Sequence, residues 1–231
     1  MSAAGRTVVI TGASRGLGRG CALAFAAEGA EVVLVARNAD QLDEVAGEIT
    51  ALGGNARATP CDVTRPEEVR EMFGALSRCD VLVNNAGTNH PQPFLEVDVK
   101  TLDELLTLNV RSMFITAQAA ARVMAPRRSG VIINMSSQMG HIGAANRTVY
   151  CMTKHAIEGL TKALAEELPE GMAAIPLNPG IINTDMLRKC WPDGAAGYPT
   201  PEKWAETAAP FILSLGPKHN GQSLSVKSFE G

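Results

Sequence analysis

The stretch "VVITGASRGLGRG", Val8–Gly20, decides how the rest of this chain is interpreted. An apolar run ends at Thr11, three glycines follow as Gly12, Gly16 and Gly18, and the apolar segment "CALAFAAEG" comes next. That order predicts a buried strand, a tight turn and a helix. Glycines let backbone N–H groups approach a pyrophosphate closely, and the N-terminus of the helix adds positive potential. The pattern favours a dinucleotide-binding βαβ unit, although a glycine-rich turn on its own can simply shape a tight bend.

Seven short runs rich in apolar residues alternate with longer segments of helical spacing. Most of the runs are continuously apolar, as expected of strands that a parallel sheet buries on both faces. In chain order they cover residues 6–11, 31–36, 56–60, 80–85, 130–137, 173–177 and 222–226. This alternation predicts an α/β chain with a doubly wound, about seven-stranded parallel sheet and helices on both faces. We expect one domain over residues 1–231, with a Gly- and Pro-rich excursion at about 186–200.

Three helices carry recognisable start signals. Asn38, Thr64 and Thr200 each stand where a side-chain oxygen can cap the N-terminus of a helix. Glu67 follows Thr64 by three residues, which is the pattern of a capping box. Pro201 follows Thr200 at the first helical position, which proline favours. We therefore expect helices to begin at these three points.

Composition argues against several classes of function. The chain has 231 residues, of which 45% are hydrophobic and 19% charged, as in a soluble protein with a substantial core. The formal net charge of −3 gives no electrostatic reason to expect nucleic acid or a membrane surface as partner. No run approaches the roughly 18–20 apolar residues that span a bilayer, and no signal peptide is visible.

Cysteine and histidine usage bears on metals and on location. The five cysteines are scattered without a C-x-x-C pair, and the four histidines show no ligand spacing. This distribution argues against a disulfide framework and against a metal site. It predicts a reducing compartment, and the cytoplasm is the expected location.

A tyrosine and a lysine stand four residues apart in "YCMTK", which begins at Tyr150. At this spacing Tyr150 and Lys154 lie on one face of a helix, about one turn apart. An ammonium group beside a phenol favours the ionised phenol and lowers its pKa from about 10. The pair could therefore act as a proton donor, or it could be an incidental pair of side chains on the surface of a helix.

The order of the motifs resembles the short-chain dehydrogenases/reductases of the compact single-domain type, from about Thr7 to Val226. The motifs that carry this resemblance are "TGASRGLG" at 11–18, "CDV" at 61–63, "NNAG" at 84–87, "LNV" around Asn109, "YCMTK" at 150–154 and "NPGIINTDM" at 178–186. The resemblance implies a Rossmann-type fold. It also implies an oxidoreductase that transfers a hydride between a nicotinamide and a carbonyl or secondary alcohol.

The same resemblance implies a catalytic tetrad of Asn109, Ser137, Tyr150 and Lys154. Tyr150 would be the general acid or base, and Lys154 would lower the pKa of its phenol. Ser137 would hold the substrate oxygen, and Asn109 would anchor a water that connects Lys154 to solvent. Ser136 competes for the serine role, but Ser137 stands thirteen residues before Tyr150, as is usual in the family.

The cofactor site is also taken from the resemblance. It would be built from loops at the carboxyl ends of the strands, where open α/β sheets bind ligands. The implied cofactor-binding residues are Gly12, Ser14, Arg15, Gly16, Leu17, Gly18, Arg37, Asp62, Val63, Asn84, Asn85, Ala86, Gly87, Tyr150, Lys154, Pro179, Gly180, Ile182 and Thr184.

Charge at the end of the second strand bears on the choice of cofactor. Family members that prefer NAD usually carry an acidic residue there, whereas this chain has Ala36 followed by Arg37. Arg15 lies in the glycine turn as well. Two guanidinium groups without a carboxylate suit a ribose 2′-phosphate, so we expect NADP(H) rather than NAD(H). That choice favours the reductive direction.

Alternatives stay open at this stage. The chain could be an NADP(H)-binding sensor or scaffold protein without turnover. Among enzymes, a 3-oxoacyl-thioester reductase is the alternative, although Arg127 and Arg128 form only a basic turn and identify no docking site for an acyl carrier. The excursion at about 186–200 would close over a small-molecule carbonyl or alcohol substrate, or would pack against a partner subunit. A homodimer or homotetramer is expected by analogy.

Overall fold

The computed structural model describes residues 3–226. Residues 1–2 and 227–231 of the expected domain lie outside this part. Seven parallel strands form one sheet in the order β3-β2-β1-β4-β5-β6-β7. The strands are β1 (Thr7–Thr11), β2 (Glu31–Ala36), β3 (Asn55–Pro60), β4 (Val81–Asn84), β5 (Gly130–Met135), β6 (Met172–Asn178) and β7 (Leu224–Ser225). The predicted fold class is confirmed, and each of the seven apolar runs contributes a strand.

The helices connect successive strands and cover both faces of the sheet. They are α1 (Gly16–Ala27), α2 (Ala39–Ala51), α3 (Pro66–Gly74), α4 (Val99–Leu105), α5 (Ser112–Met124), α6 (Thr148–Glu167), α7 (Asp185–Cys190) and α8 (Pro201–Leu213). A π-helical segment, Leu106–Arg111, joins α4 to α5 without a break. Within residues 3–226 no helix has the length and apolar character needed to cross a membrane.

Two apolar layers hold the helices against the sheet. Because successive side chains of a strand point to opposite faces, Val8 and Ile10 of β1 enter one layer and Val9 enters the other. The first layer packs against α1, α2 and α8 and contains Trp204, which is completely buried. The second packs against α3, α5 and the end of α6. This burial leaves the carboxyl ends of the strands open for a site.

Two of the three expected helix starts are confirmed. The side chain of Asn38 accepts a hydrogen bond from the backbone N–H of Gln41 and caps α2. The side chain of Thr200 accepts one from Lys203 and caps α8, with Pro201 as the first helical residue.

The expected capping box at Thr64 is wrong. Thr64 donates both its backbone N–H and its hydroxyl to the carboxylate of Asp62, at 3.0 and 2.7 Å. That local turn uses the hydroxyl, so α3 begins one residue later, with Arg65 at the N-cap position and Pro66 as the first helical residue. The competing acceptor two residues upstream decided the outcome.

Candidate active site

The candidate site lies where the strand order reverses between β1 and β4. The hydroxyl of Thr11, the last residue of β1, accepts the backbone N–H groups of Asn85 and Ala86 at 2.9 and 3.0 Å. The side chain of Asn85 donates to the carbonyl of Thr11 at 2.9 Å. These bonds fix the "NNAG" loop against the glycine turn. Thr11 was not among the predicted site residues, although its position directly before the glycine turn was a usable signal.

The glycine turn leaves room for a group that approaches the backbone closely. Gly12 and Gly16 have φ values of 68° and 54°, which side chains other than glycine rarely adopt. A Cβ on Gly18 would overlap the carbonyl oxygen of Gly12 and lie 2.8 Å from the amide nitrogen of Asn85. Helix α1 begins at Gly16 and has no side-chain cap, so the N–H groups of its first turn, including those of Gly16 and Leu17, have no partner within the helix. The arrangement suits an anionic group such as a pyrophosphate.

A second loop, residues 179–184, faces the glycine turn. The nearest atom to a Cβ built on Gly16 is the methyl group of Thr184, at 3.9 Å. The carbonyl of Pro179 accepts the indole N–H of the buried Trp204 at 2.8 Å. Gly180 has a φ of 81°. Next to this loop a cavity of about 230 Å³ lies between Gly16 and the first residues of α7 and α8.

The remaining members of this loop are fixed by packing and by capping. Ile182 is buried, with 6% of its surface exposed. The hydroxyl of Thr184 accepts the backbone N–H of Leu187 at 3.2 Å and caps α7. The loop is therefore held at both of its ends.

The two arginines that suggested NADP(H) are exposed at this edge of the sheet. Among residues 3–226, neither Arg15 nor Arg37 forms an ion pair with a carboxylate. Burial tends to raise the pKa of the Asp62 carboxyl, but hydrogen bonds from Thr64 and the charge of Arg37 hold that pKa below its usual range. Arg37 and Asp62 therefore lie within electrostatic reach of each other, and Val63 beside them is buried.

The structure brings Ser137, Tyr150 and Lys154 together. Tyr150 and Lys154 stand on α6, and the Ser137 hydroxyl, just beyond β5, is close enough to the Tyr150 phenol to lower the pKa of that phenol. The Lys154 ammonium nitrogen lies 5.5 Å from the centre of the Tyr150 ring. It donates a hydrogen bond of 2.7 Å to the carbonyl of Met135. A phenol, a hydroxyl and an amine at one strand end can together exchange a proton with a bound oxygen atom.

The two neighbouring serines point to different partners. Ser137 contacts Tyr150 and also accepts the backbone N–H of Met139 at 3.2 Å. Ser136 is buried and donates to the carboxylate of Glu158 at 2.5 Å. Ser137 thus acts on the phenol while Ser136 bonds to Glu158, and the choice of Ser137 as the catalytic serine stays a prediction.

Asn109 lies in the π-helical segment and is 1% exposed. Its side chain accepts the backbone N–H of Thr88 and donates to the Thr88 carbonyl, both at 2.8 Å. It also donates to the hydroxyl of Thr153 at 3.3 Å, and that hydroxyl donates to the carbonyl of Tyr150. Asn109 thus joins the loop after β4 to α6. A glycine at position 87 leaves room for the Asn109 side chain. A Cβ there would lie only 3.2 Å from the Asn109 oxygen and would crowd it.

The expectation that Lys154 lowers the pKa of the Tyr150 phenol is wrong for the chain without cofactor. Burial raises the pKa of Tyr150 to about 12, and the hydrogen bond with Ser137 offsets only part of that effect. Burial also lowers the pKa of Lys154 to about 8. Loss of water disfavours the charged form of each group, so the two pKa values move in opposite directions. Spacing along a helix identifies the pair but carries no information on its burial.

Asn84 does not line the cofactor site. It is 2% exposed, and its amide donates to the carbonyl of Met113 at 2.9 Å and to the side chain of Asn134 at 3.1 Å. Its oxygen accepts from Thr116 at 2.8 Å. The expectation that Asn84 braces the cofactor is therefore wrong, because these interior hydrogen bonds fasten α5 to the sheet.

A buried carboxylate beneath the tetrad was missed by sequence reasoning. Glu158 of α6 is 5% exposed and accepts the hydroxyls of Ser136 and Ser223, each at 2.5 Å. The side chains of His141 and Lys162 lie 3.2 and 3.7 Å from its oxygens. Glu158 therefore connects α6 to the loop after β5 and to the segment before β7. Its position on the apolar face of the helix, one turn beyond Lys154, was the signal available.

Comparison with known proteins gives the family. The family model of short chain dehydrogenases matches residues 6–194. A NADPH-dependent pterin aldehyde reductase of Arabidopsis thaliana is 40% identical over 228 residues, which cover 96% of this chain and 94% of that protein. An L-xylulose reductase of Bos taurus is 37% identical over 193 residues, 82% of this chain and 77% of that one.

A solved structure supports the same conclusion. A crystal structure from Beutenbergia cavernae, with NADP bound at low occupancy, matches with a TM-score of 0.87 and 32% identity. The match covers 97% of this chain and 96% of that one. The agreement of sequence, sheet order and site geometry shows that this chain belongs to the short-chain dehydrogenase family of oxidoreductases.

Proposed function

We propose that this chain is an NADP(H)-dependent carbonyl reductase that acts on a small ketone or aldehyde and, in reverse, on the corresponding alcohol. One observation carries the proposal. The Lys154 ammonium nitrogen lies 5.5 Å from the centre of the Tyr150 ring, and Ser137 is close enough to lower the pKa of the phenol, at the same carboxyl ends of the strands as the glycine turn. The sensor or scaffold hypothesis gives no reason for a half-buried proton donor beside a buried lysine at that place.

Each member of the tetrad has a role in this proposal. The glycine turn with Arg15 and Arg37 would hold NADPH, which would supply the hydride for the carbonyl carbon. Tyr150 donates its phenolic proton to the carbonyl oxygen, and with a pKa of about 12 the phenol carries that proton at neutral pH. Ser137 orients the same oxygen by hydrogen bonding. Lys154, with a pKa of about 8, returns a proton to the site, and Asn109 holds α6 in register.

The preference for NADP(H) rests on charge. The guanidinium groups of Arg15 and Arg37 stand at the glycine turn and at the end of β2, and both are exposed. Guanidinium groups bind phosphate through paired hydrogen bonds, so they suit a ribose 2′-phosphate. The Arabidopsis relative is NADPH-dependent by name, and the Beutenbergia structure holds NADP.

The names of two relatives support a substrate class. One is named for an aldehyde and another for a keto sugar, and both are named as reductases. A small polar carbonyl compound is therefore the substrate class that we propose, in the reductive direction. Activity towards 3-oxoacyl thioesters remains the alternative within the same chemistry.

The test of this proposal follows NADPH absorbance with aldehydes, ketones and 3-oxoacyl thioesters. We expect turnover of at least one small carbonyl compound with NADPH, and slower turnover with NADH. Calorimetry measures cofactor binding separately. Tight NADPH binding together with silence across the panel would contradict a reductase and favour the sensor hypothesis.

We also propose a homodimer or homotetramer formed through α5 and α6. Phe114 on α5 and Met152 on α6 are exposed large apolar side chains, at 48% and 43%. Light scattering distinguishes the 24.3 kDa monomer from its multiples. A reducing, cytoplasmic setting is proposed as well, because all five cysteines are unpaired.

A further inference from the structure

Arg147 stands three residues before Tyr150, at the N-cap position of α6. One guanidinium nitrogen, Nη2, donates to the carbonyl of Cys190 at the end of α7, at 3.4 Å. The other, Nη1, is buried and has no hydrogen-bond partner among residues 3–226. No carboxylate in that part of the chain forms an ion pair with this guanidinium. A buried cationic donor without a partner is costly, so its presence needs a reason.

The guanidinium lies between the start of α6, which carries Tyr150, and the end of α7. Burial and the Ser137 hydrogen bond dominate the pKa of Tyr150, and the charge of Arg147 is among the smaller effects that lower it. The positive charge of Arg147 is therefore close enough to Tyr150 to lower the pKa of the phenol slightly. The bond to Cys190 places the same group against the excursion at about 186–200, where the rings of Trp191 and Tyr198 lie 5.8 Å apart.

Two buried side-chain oxygens without a hydrogen-bond partner lie in the loop after β4. The backbone N–H of Gln92 donates to the carbonyl of Asn146 at 3.0 Å, so the loop after β4 lies against the loop before α6. The side-chain oxygens of Asn89 and Gln92 are buried, and neither has a hydrogen-bond partner among residues 3–226. A terminal amide can turn over and present its NH₂ group instead. Three polar groups without partners thus lie on neighbouring loops beside the tetrad.

The chemistry of these groups selects a ligand. A guanidinium is a planar fork that pairs best with a planar oxyanion, and its single charge suits a single negative charge. We propose that Arg147, assisted by Asn89 and Gln92, binds a carboxylate on the substrate while the carbonyl of that substrate lies at Tyr150. The inference rests on the proposed function and narrows it to keto acids and aldehyde acids.

The test compares acids with their uncharged esters. The probes are acetoacetate and levulinate, each with its methyl ester, reduced with NADPH by the wild type and by Arg147→Met. For the better keto acid we expect kcat/KM to fall about 30-fold or more in the variant, mainly through KM. For the ester we expect a change below about threefold. Arg147→Lys should restore part of the loss because it returns the charge.

A matched control removes a charge elsewhere. Arg57 is exposed on the edge strand β3, so Arg57→Met should leave the ratio of acid to ester unchanged. An equal loss of kcat/KM for acid and ester in Arg147→Met would overturn the inference. It would show that Arg147 only holds α7 in place. A wild type that prefers the esters would overturn it too.

A binding measurement separates this inference from the proposed function. Glutarate and glutaramide are titrated calorimetrically into the complex of the chain with NADP⁺. We expect glutarate to bind and glutaramide to bind at least about tenfold more weakly, with the difference lost in Arg147→Met. Glutarate binding without turnover of any carbonyl compound would support the anion site and contradict the reductase. Turnover of a carbonyl compound, with glutarate binding no more tightly than glutaramide, would support the reductase and contradict the anion site.

Discussion

Burial acts on Tyr150 and Lys154 in opposite senses. It keeps the phenol protonated, with a pKa of about 12, and favours the neutral amine, with a pKa of about 8. A protonated phenol is the form that a reductase needs in order to donate a proton at neutral pH. The same two residues were identified from their spacing in the sequence, but the direction of the phenol's pKa shift was not. That shift depends on the layers of the fold that exclude water.

The buried amine of Lys154 should make stability depend on pH. The unfolded chain keeps this proton up to about pH 10.4, whereas the folded chain releases it near the pKa of about 8. Between these values the unfolded state binds more protons, so the free energy of unfolding rises with pH. Relative to Lys154→Met, the wild type should gain up to about 3 kcal/mol from about pH 8 to about pH 10. Buried thiols titrate in both proteins and cancel in the difference.

Urea unfolding of both proteins across this pH range provides the measurement. A difference in unfolding free energy that stays flat, or falls as the pH rises, would show that Lys154 is not buried in water-poor surroundings.

At the scale of elements, Glu158 links α6 to the loop after β5 and to the segment before β7. Glu158→Gln removes the charge that the hydroxyls of Ser136 and Ser223 share, and hydrogen bonds to a charged group contribute about 1.5–3 kcal/mol. We expect a loss of that size in unfolding free energy. We also expect a lower kcat with unchanged NADPH affinity. Glu158 holds Ser136, and a shift of Ser136 would displace the adjacent Ser137 from the substrate oxygen.

Lys162→Met is the matched control for this change. The Lys162 ammonium lies 3.7 Å from the Glu158 carboxylate but is half exposed, so its loss should cost below about 1 kcal/mol. Equal effects of the two substitutions on kcat would show that charge at Glu158 has no positioning role.

The elements themselves were largely predictable from the sequence, because strands buried on both faces leave continuous apolar runs and helix caps are local. Asn38 and Thr200 illustrate this, since each bonds an amide three residues ahead. Thr64 shows the limit, because Asp62 competed for its hydroxyl. Glu158 and Arg147 were missed because their partners, Ser223 and Cys190, are distant along the chain and meet them only in the fold.

At the scale of the whole molecule, the glycine turn, the loop 179–184 and the tetrad all lie at or beyond the carboxyl ends of the strands. A ligand that binds there only in the folded state stabilises the whole chain by mass action, by about 2.7 kcal/mol at one hundred times its dissociation constant. We expect NADPH to raise the melting temperature more than NADH does at equal concentration. The double variant Arg15→Ala, Arg37→Ala should remove that difference and keep the fold.

Differential scanning calorimetry measures both shifts directly. Equal shifts with the two cofactors in the wild type would contradict the proposed preference for NADP(H).

The central claim is that the phenol of Tyr150 gives its proton to the substrate oxygen. Tyr150→Phe removes that hydroxyl and little else, so the most direct measurement is the rate of NADPH oxidation by this variant with a carbonyl compound that the wild type reduces. We expect kcat to fall by a factor of about 100 or more while the dissociation constant for NADPH stays within about threefold. Retention of wild-type turnover in Tyr150→Phe would contradict it.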